Sequence, residues 1–296
     1  QIKKMVNSSA KLMAILKANA YGHGILKVAQ VCVAEGVEFL GVALLDEALY
    51  LCENGITIPI LILGYTPPAG LDAVVECGFR QTVFDLSAAE SLSKTALERG
   101  KEAYVHIKVD TGMSRTGFLS DQVKTVAHIC GLSGLVVEGV FTHLAMADSL
   151  DQSYTKLQLK RFSEFLKALK ELGIEIPVRH AANSAGIFFY PEAHYDMVRA
   201  GISIYGLSSS TECDQKDLGL IPAMRLKSRV VMVKEVPDST MVSYGCTFVT
   251  SGPTRIATVP IGYGDGYVRA YSNRAWAMVR GQRVPLIGRV CMDYCM

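Results

Sequence analysis

The stretch that decides the fold is Ile15-Leu-Lys-Ala-Asn-Ala-Tyr-Gly-His-Gly24. The apolar run from Leu12 to Leu16 has the composition of a buried strand, and it ends on Lys17. A lysine at the end of a buried strand has a partly desolvated amine, which can act as a nucleophile towards a carbonyl. An isolated lysine in this position is more often one whose stem covers apolar surface while its amine reaches water. The rest of the sequence has to decide between these two interpretations.

Strand-like apolar runs alternate with helix-like segments from about residue 11 to residue 206. This alternation predicts βαβ units, and eight strands in about 200 residues favour a closed (β/α)8 barrel. A doubly wound sheet is less favoured, because Gly22-His23-Gly24 lacks the spacing of a dinucleotide-binding loop. Helical periodicity with charge on one face runs over Leu157–Leu172 and ends at Gly173. The predicted strands are Lys11–Leu16, Phe39–Leu44, Ile60–Leu63, Thr82–Phe84, Tyr104–Val109, Val136–Thr142, Arg179–Ala182 and Met197–Tyr205.

A second pattern begins at about Leu220, where short β-rich runs are separated by Gly, Pro and Ser. It predicts an all-β second domain. We therefore predict a barrel over residues 1–207, a linker over about 208–219 and a β domain over 220–296. The predicted strands of that domain are Ser228–Val236, Arg255–Pro260, Ala275–Val279 and Val284–Val290.

Composition narrows the class of protein. Half of the residues are hydrophobic, a fifth are charged and the net charge is +2, which is typical of a soluble globular enzyme. There is no Lys/Arg cluster to indicate nucleic acid, and no apolar run reaches the ~18–20 residues of a membrane span. The eight cysteines are scattered without zinc-site spacing, so we expect no metal and a reducing, cytoplasmic location. The chain begins at Gln1 and ends at Met296 after a strand-like run, so we expect a fragment with an incomplete β domain.

Residues that suggest a ligand site recur where the predicted barrel strands end. In a (β/α)8 barrel, ligands bind at the carboxyl ends of the strands. Each residue also has an ordinary explanation when taken alone: Arg115 as a solvated loop residue, His143 as a core histidine, Asn183-Ser184 as a helix cap, and Arg199 as the partner of a carboxylate in the barrel wall. The full set is Lys17, Tyr21, Lys108, Asp110, Arg115, His143, His180, Asn183, Ser184, Arg199, Gly201 and Ile202.

The order of these motifs resembles that of the bacterial alanine racemases, which depend on pyridoxal 5′-phosphate (PLP). The resemblance covers the whole chain. It implies a homodimer with shared active sites that interconverts L- and D-alanine and supplies D-alanine for peptidoglycan. The motifs that carry it are Lys17–Gly24, Asp110–Gly117, Phe141–His143, His180–Gly186, Arg199–Gly206, Val242–Gly245, Pro260–Gly266 and Gly288–Asp293.

The resemblance assigns the two proton-transferring residues and the groups behind them. Lys17 holds PLP as an imine and acts on one face of the substrate, and Tyr244 of the partner subunit acts on the opposite face. A phenol is a poor base at neutral pH, so the positive charge of Arg199, relayed by His143, favours the phenolate. Arg199 also faces the pyridine nitrogen and leaves it unprotonated, since arginine only donates, and we infer that this discourages transamination. His180 orients Arg199.

The resemblance also assigns the binding residues. The phosphate lies between the hydroxyls of Tyr21 and Ser184 and the backbone N–H groups of Gly201 and Ile202, with Asn183 beside it. The two subunits share the recognition of the substrate carboxylate, with Arg115 from one and Met292 from the other. Lys108, often carbamylated in the family, positions Arg115, and the sequence leaves open whether it is modified here. Asp293 has a supporting role.

Some features depart from the family pattern, and other activities remain possible. Tyr294 stands where the family usually has Gln, and the family supplies a further active-site tyrosine beyond the last residue here. The nearest alternative is a serine racemase of the vancomycin-resistance type, which shares these motifs. A non-catalytic PLP-binding homeostasis protein lacks the second domain, and a PLP decarboxylase on a related barrel has a carboxylate where Arg199 stands.

Overall fold

The computed structural model describes residues 1–210, 212 and 218–296. It divides into two compact units, Gln1–Met224 and Arg225–Met296. The predicted linker over 208–219 lies partly outside the described residues, and the predicted limits of the two domains remain predictions.

The first unit is a nearly closed barrel of eight parallel strands, in which each strand pairs with the next one along the chain except at the gap between the seventh and the eighth, and the first strand pairs with the last. The last two strands are joined by the hydrogen bonds Asp196 N–H to Arg179 O and Arg199 N–H to Ala182 O, both 3.0 Å. A two-residue strand, Phe118–Leu119, pairs with the end of the fifth. The barrel strands are β1 (Lys11–Ile15), β2 (Phe39–Val42), β3 (Ile60–Ile62), β4 (Arg80–Val83), β5 (Ala103–Asp110), β6 (Leu135–Phe141), β7 (Val178–His180) and β8 (Met197–Ala200).

Helices lie outside the barrel and cover the outward faces of the strands. Short 3-10 turns, Pro68–Gly70, Pro191–Ala193 and Ile202–Tyr205, join some of them. The helix predicted over Leu157–Leu172 is confirmed, although it begins four residues earlier. The helices are α1 (Ile2–Met5), α2 (Ile25–Ala34), α3 (Leu45–Glu53), α4 (Leu71–Glu76), α5 (Leu86–Glu98), α6 (Val123–Cys130), α7 (Ser153–Glu171) and α8 (Ser184–Phe189).

The barrel strands bury side chains on both faces, which is why they read as continuous apolar runs. A large apolar cluster lies between strands and helices and includes Leu40, Ile62 and Phe162. A smaller cluster, formed by alternate residues such as Met13, Phe39 and Leu61, belongs to the opposite strand faces and lines the barrel interior. Because so few apolar residues fill the interior, polar side chains of β5, β7 and β8 occupy part of it.

The second unit is built from antiparallel strand pairs: β9 (Met232–Val236) with β12 (Thr254–Thr258), β10 (Met241–Val242) with β11 (Phe248–Val249), and β13 (Trp276–Val279) with β14 (Gln282–Pro285). Short 3-10 turns, Tyr244–Cys246, Tyr263–Asp265 and Arg269–Tyr271, separate them. The predicted fold class, a (β/α)8 barrel followed by an all-β domain, is confirmed.

Three strand predictions were too long by four or more residues. The run Ser228–Val236 forms a strand only from Met232, which pairs with Thr258 at the end of the partner strand. β8 ends at Ala200 because the backbone turns at Gly201, where ψ is −104°, and a 3-10 turn follows. The run Val284–Val290 leaves its hairpin after Pro285, because Ile287 N–H donates to Met296 O and Gly288 adopts a φ of +72°. Apolar composition alone does not show either turn.

Across the described ranges, no helix combines the length and the apolarity needed to cross a bilayer. Within the same ranges, no group of three or more His, Cys, Asp and Glu side chains is arranged to hold a metal ion.

The N-terminus of α5 offers a test of local stability. Asp85 Oδ1 accepts hydrogen bonds from Ala88 N–H and the Ser87 hydroxyl, both 2.8 Å. Asp85→Ala leaves the helix end uncapped and should lower the free energy of unfolding by about 1 kcal/mol, measured in urea. Asp85→Asn keeps the accepting oxygen and should stay near wild type. Equal losses in both variants would show that the cap bond is not the stabilising contact.

Candidate active site

The carboxyl ends of the barrel strands surround an open cavity of about 480 Å³. Most of the residues predicted for the site from the sequence of the first unit line it. Others that line it, such as Tyr65, Phe84 and Thr116, were not predicted. The predicted residues that line the cavity are Lys17, Tyr21, Lys108, Arg115, His143, Asn183, Ser184, Arg199, Gly201 and Ile202.

Lys17 enters the cavity because the chain reverses in a left-handed turn directly after β1. The four residues from Ala18 to Tyr21 have φ values between +52° and +54°. This conformation costs roughly 1–2 kcal/mol per non-glycine residue, so the surroundings must hold it. One contact that holds it is made by Asn19, whose Oδ1 accepts from Ile25 N–H at 2.9 Å. The turn brings Lys17 and Tyr21 to the same cavity.

The hydroxyls of Tyr21 and Ser184 converge on Gly201. Ser184 Oγ accepts from Gly201 N–H at 2.9 Å, which leaves its own O–H to donate. A Cβ on Gly201 would lie 3.2 Å from the Tyr21 oxygen and 3.6 Å from the Ser184 oxygen. An added Cβ would therefore crowd the space between the two hydroxyls, and this space suits a phosphate that accepts hydrogen bonds.

Aromatic packing fixes the Tyr21 ring. Its centroid lies 4.9 Å from that of Tyr205, and the Tyr205 ring stacks on His23 at 4.4 Å. The Tyr205 hydroxyl donates to Ile15 O at 3.0 Å. The two glycines beside His23 thus belong to a turn that packs behind the phosphate-sized space.

Asn183 caps α8 and also faces the cavity. Its Oδ1 accepts from Gly186 N–H at 3.0 Å, and its Nδ2 donates to Leu144 O at 3.1 Å. Both polar ends of the side chain are thus engaged within the protein. The cap fixes the position of Ser184 at the first turn of the helix, and a direct contact of Asn183 with the cofactor remains a prediction.

The loop that carries Arg115 is closed on itself. Asp110 Oδ1 accepts from Gly112 N–H at 2.9 Å and from Ser114 N–H at 3.0 Å. At Gly117 φ is +135°, and a Cβ there would lie 2.7 Å from Asp110 N. Only glycine therefore lets the end of the loop come this close to its beginning. The loop thereby places Arg115 at the rim, where it is exposed.

Lys108 is a buried amine among cations. Its Nζ donates to Thr116 Oγ1 at 2.6 Å. Burial, followed by the charges of Arg115 and Arg199, lowers the pKa of Lys108 to about 8. An appreciable fraction of this amine is therefore uncharged near neutral pH.

Arg199 is the most deeply buried cation of the site, with 3% of the residue exposed. Its Nη1 donates to His180 Nδ1 at 3.0 Å, and its Nη2 donates to the carbonyl oxygens of Thr142 and Ala181 at 2.8 and 3.0 Å. Nη2 also lies 3.3 Å from His143 Nδ1. These partners are neutral acceptors, so the explanation of Arg199 as the partner of a wall carboxylate is wrong.

The charge states around Arg199 follow from burial. Burial, and then the charge of Arg115, lowers the pKa of Arg199 to about 9, which keeps the guanidinium charged at neutral pH. Burial, and then the charge of Arg199, holds the pKa of both His143 and His180 well below the usual value. Both imidazoles are therefore neutral, and each offers a lone pair to the arginine.

The second unit brings its own motifs together. Ser243 Oγ donates to Arg289 O at 2.7 Å, and Tyr263 N–H donates to Cys291 O at 3.0 Å. Tyr244 is 70% exposed and Met292 is 54% exposed. Both are surface residues of this chain, Asp293 is exposed as well, and the contribution of these residues to a partner subunit remains a prediction.

The sequence analysis missed His106 and Glu138. His106 is fully buried and lies between His180 and Glu138 in the barrel interior. The sequence could have indicated His106, because side chains two residues apart in a strand lie on the same face, and His106 therefore lies on the face of Lys108. Glu138 gave no such signal, because its position depends on the pairing of β5 with β6.

A barrel of this kind, with a lysine at the end of β1 and a phosphate-sized space after β7 and β8, defines the barrel class of PLP-dependent enzymes. Family models match both units: "Alanine racemase, N-terminal domain" over residues 1–209 and "Alanine racemase, C-terminal domain" over 223–296. The chain belongs to the alanine racemase family, whose members depend on PLP.

Individual relatives agree over the full chain. An alanine racemase of Methanococcus maripaludis is 46% identical over all of this chain and 80% of its own length. The solved alanine racemase of Clostridium difficile 630 has a TM-score of 0.94 and 38% identity, covering 99% of this chain and 77% of that one. The alanine racemase of Streptomyces lavendulae has a TM-score of 0.91 and 34% identity, covering 99% and 78%.

The pKa of Lys108 can be measured by competitive labelling. With acetic anhydride in CO2-free buffer, acetylation of Lys108 should rise with a midpoint near pH 8, because burial disfavours its charged form. Peptide mass spectrometry reports each lysine separately. Lys94, whose side chain is 77% exposed, is the internal control. A midpoint for Lys108 equal to that of Lys94 would contradict the account of its surroundings.

Proposed function

We propose that this protein interconverts L- and D-alanine as a PLP-dependent homodimer in the cytoplasm, and so supplies D-alanine for the cell wall. The observation that carries this proposal is the pairing of Lys17, at the end of β1, with a buried Arg199 that neutral acceptors surround. The family to which the chain belongs supports the choice of alanine.

The residues of the cavity fit PLP. Tyr21 and Ser184 would hold the phosphate in the space beside Gly201, with the backbone of Ile202 close by. Lys17 would hold the cofactor covalently. When bound, PLP withdraws electrons from the substrate Cα and makes its proton acidic.

Arg199 sets the electronic character of that chemistry. A guanidinium has only donors and keeps its proton, so Arg199 would leave the pyridine nitrogen of bound PLP unprotonated and would make the ring a weaker electron acceptor. Arg199 therefore favours return of the proton to Cα over the misplaced protonation that begins transamination, and it disfavours the decarboxylase alternative.

Racemisation needs one proton-transferring group on each face of Cα. Lys17 supplies one face from within the barrel. We assign the other face to Tyr244 of the partner subunit, because Tyr244 is exposed on this chain and is placed by the fixed turn at Ser243. His143 carries the influence of the Arg199 charge towards that phenol, since positive charge nearby stabilises a phenolate. The chain has a second unit that carries Tyr244, and the non-catalytic homeostasis protein lacks such a unit, which argues against that alternative.

Arg115, at the rim, binds the substrate carboxylate together with the backbone at Met292 of the other chain. A charged Lys108 would repel Arg115. Carbamylation of Lys108, which the family resemblance implies, reverses its charge and turns this repulsion into attraction. The lowered pKa of Lys108 supports this modification, because only an uncharged amine combines with CO2.

The test of the function is complementation between two inactive variants. Lys17→Ala and Tyr244→Phe should each nearly abolish alanine racemisation, measured as D-alanine formed from L-alanine. In a mixed dimer both lesions fall in one site, and the other site keeps Lys17 and Tyr244 intact. Random assortment into symmetric dimers should therefore restore up to about a quarter of wild-type activity.

The controls separate the parts of the proposal. No recovery, with subunit mixing shown by mass spectrometry of tagged chains, would rule out the shared site. If wild-type protein racemises serine faster than alanine, the proposed substrate is wrong. Wild-type protein that binds PLP and racemises neither would overturn the proposed function.

A further inference from the structure

A line of buried polar side chains runs from Arg199 through the barrel interior, away from the cavity. His180 Nδ1 lies 3.0 Å from Arg199 Nη1, and His180 Nε2 lies 2.8 Å from His106 Nδ1. His106 Nε2 lies 3.0 Å from Glu138 Oε2. Arg80 closes the line, donating to both oxygens of Glu138 at 3.0 Å.

The chemistry of these groups allows only one direction of donation. Arginine only donates, so His180 Nδ1 must accept. A neutral imidazole has one donor and one acceptor, so His180 Nε2 carries its proton and donates to His106 Nδ1. By the same reasoning His106 donates from Nε2 to Glu138. The carboxylate ends the line, because an ionised carboxylate only accepts.

Protonation states agree with this direction. Burial lowers the pKa of both His106 and His180, so both rings are neutral at neutral pH. Burial alone would raise the pKa of Glu138, but hydrogen bonds from His106 and Arg80 hold it at about 2. Glu138 therefore remains an ionised acceptor throughout the physiological range.

Two irregularities of the backbone make the line possible. The register between β5 and β6 shifts at His106, which pairs with Gly139 and leaves Glu138 as the extra residue of a bulge. Such bulges redirect side chains near active sites. A Cβ on Gly139 would lie 2.4 Å from His106 Nδ1, so the ring fits only against glycine.

We propose that His106 and Glu138 are positioning residues that fix the tautomer of His180 and thereby the guanidinium of Arg199. With the opposite tautomer, His180 would turn an N–H towards the donors of Arg199, and the two would repel. The tautomer itself follows from the buried line, and its effect on turnover rests on the proposed function.

Glu138→Leu tests this proposal, because it removes the oxygen that accepts from His106 Nε2. Nothing at that end then holds His106, or through it His180, in the form protonated at Nε2. Glu138→Gln is the matched control, because its amide oxygen can take the place of Oε2 and accept from both Arg80 Nε and His106 Nε2.

The primary measurement is ¹⁵N NMR of the imidazoles in selectively labelled protein, with His180 assigned by the loss of its signal in His180→Gln. Wild type and Glu138→Gln should show His180 protonated at Nε2, and Glu138→Leu should show a mixture of the Nε2 and Nδ1 forms. The kcat of Glu138→Leu for alanine should fall about tenfold with little change in KM, because Arg199 acts on the bound reactant. An unchanged His180 tautomer in Glu138→Leu would overturn the proposal.

A second pair of variants keeps the test independent of one substitution. Asn at position 106 can present an oxygen where His106 has Nδ1, so His106→Asn should preserve the His180 tautomer and most of the activity. His106→Leu removes the acceptor and should lose both. Equal behaviour of the two variants would show that His106 only fills space. A changed tautomer in a protein that never racemises alanine would refute the proposed function and leave the tautomer proposal intact.

Discussion

A buried guanidinium without a carboxylate beside it is the constraint on which this site depends. Taking a charge out of water is costly unless hydrogen bonds replace its solvation. Arg199 obtains these bonds from backbone carbonyls and from two imidazoles, His143 and His180, which burial keeps neutral. A carboxylate would neutralise the charge. Neutral acceptors leave the charge uncompensated, and the role proposed for Arg199 towards the ring nitrogen of PLP rests on this difference.

None of the described residues that line the cavity is acidic. Lys17, Lys108 and Arg115 line it together with Arg199, and Asp110, at the end of β5, accepts hydrogen bonds within its own loop. This surplus of positive charge suits a ligand with a phosphate and a substrate with a carboxylate. It also explains why Lys108 is a weak base here, since burial and neighbouring cations act in the same direction.

The site residues that could be predicted from the sequence are polar residues at the ends of apolar strands. Lys17 and Arg199 were predictable because each ends or interrupts an apolar run, and parallel strands bring such ends together. Glu138 was not predictable, because it reaches the interior through a shift in pairing between β5 and β6 that neither strand shows alone. The turn at Gly201 was also missed, because an apolar run continues through it.

The central claim is that Arg199 keeps the cofactor's ring nitrogen unprotonated. The direct measurement is the ¹⁵N signal of PLP labelled at that nitrogen, bound to wild-type protein and to Arg199→Glu. We predict an unprotonated nitrogen in wild type. In the variant we predict a protonated nitrogen and a larger share of transaminated cofactor per turnover. A protonated nitrogen in wild type, or a variant with no rise in transamination, would contradict the account.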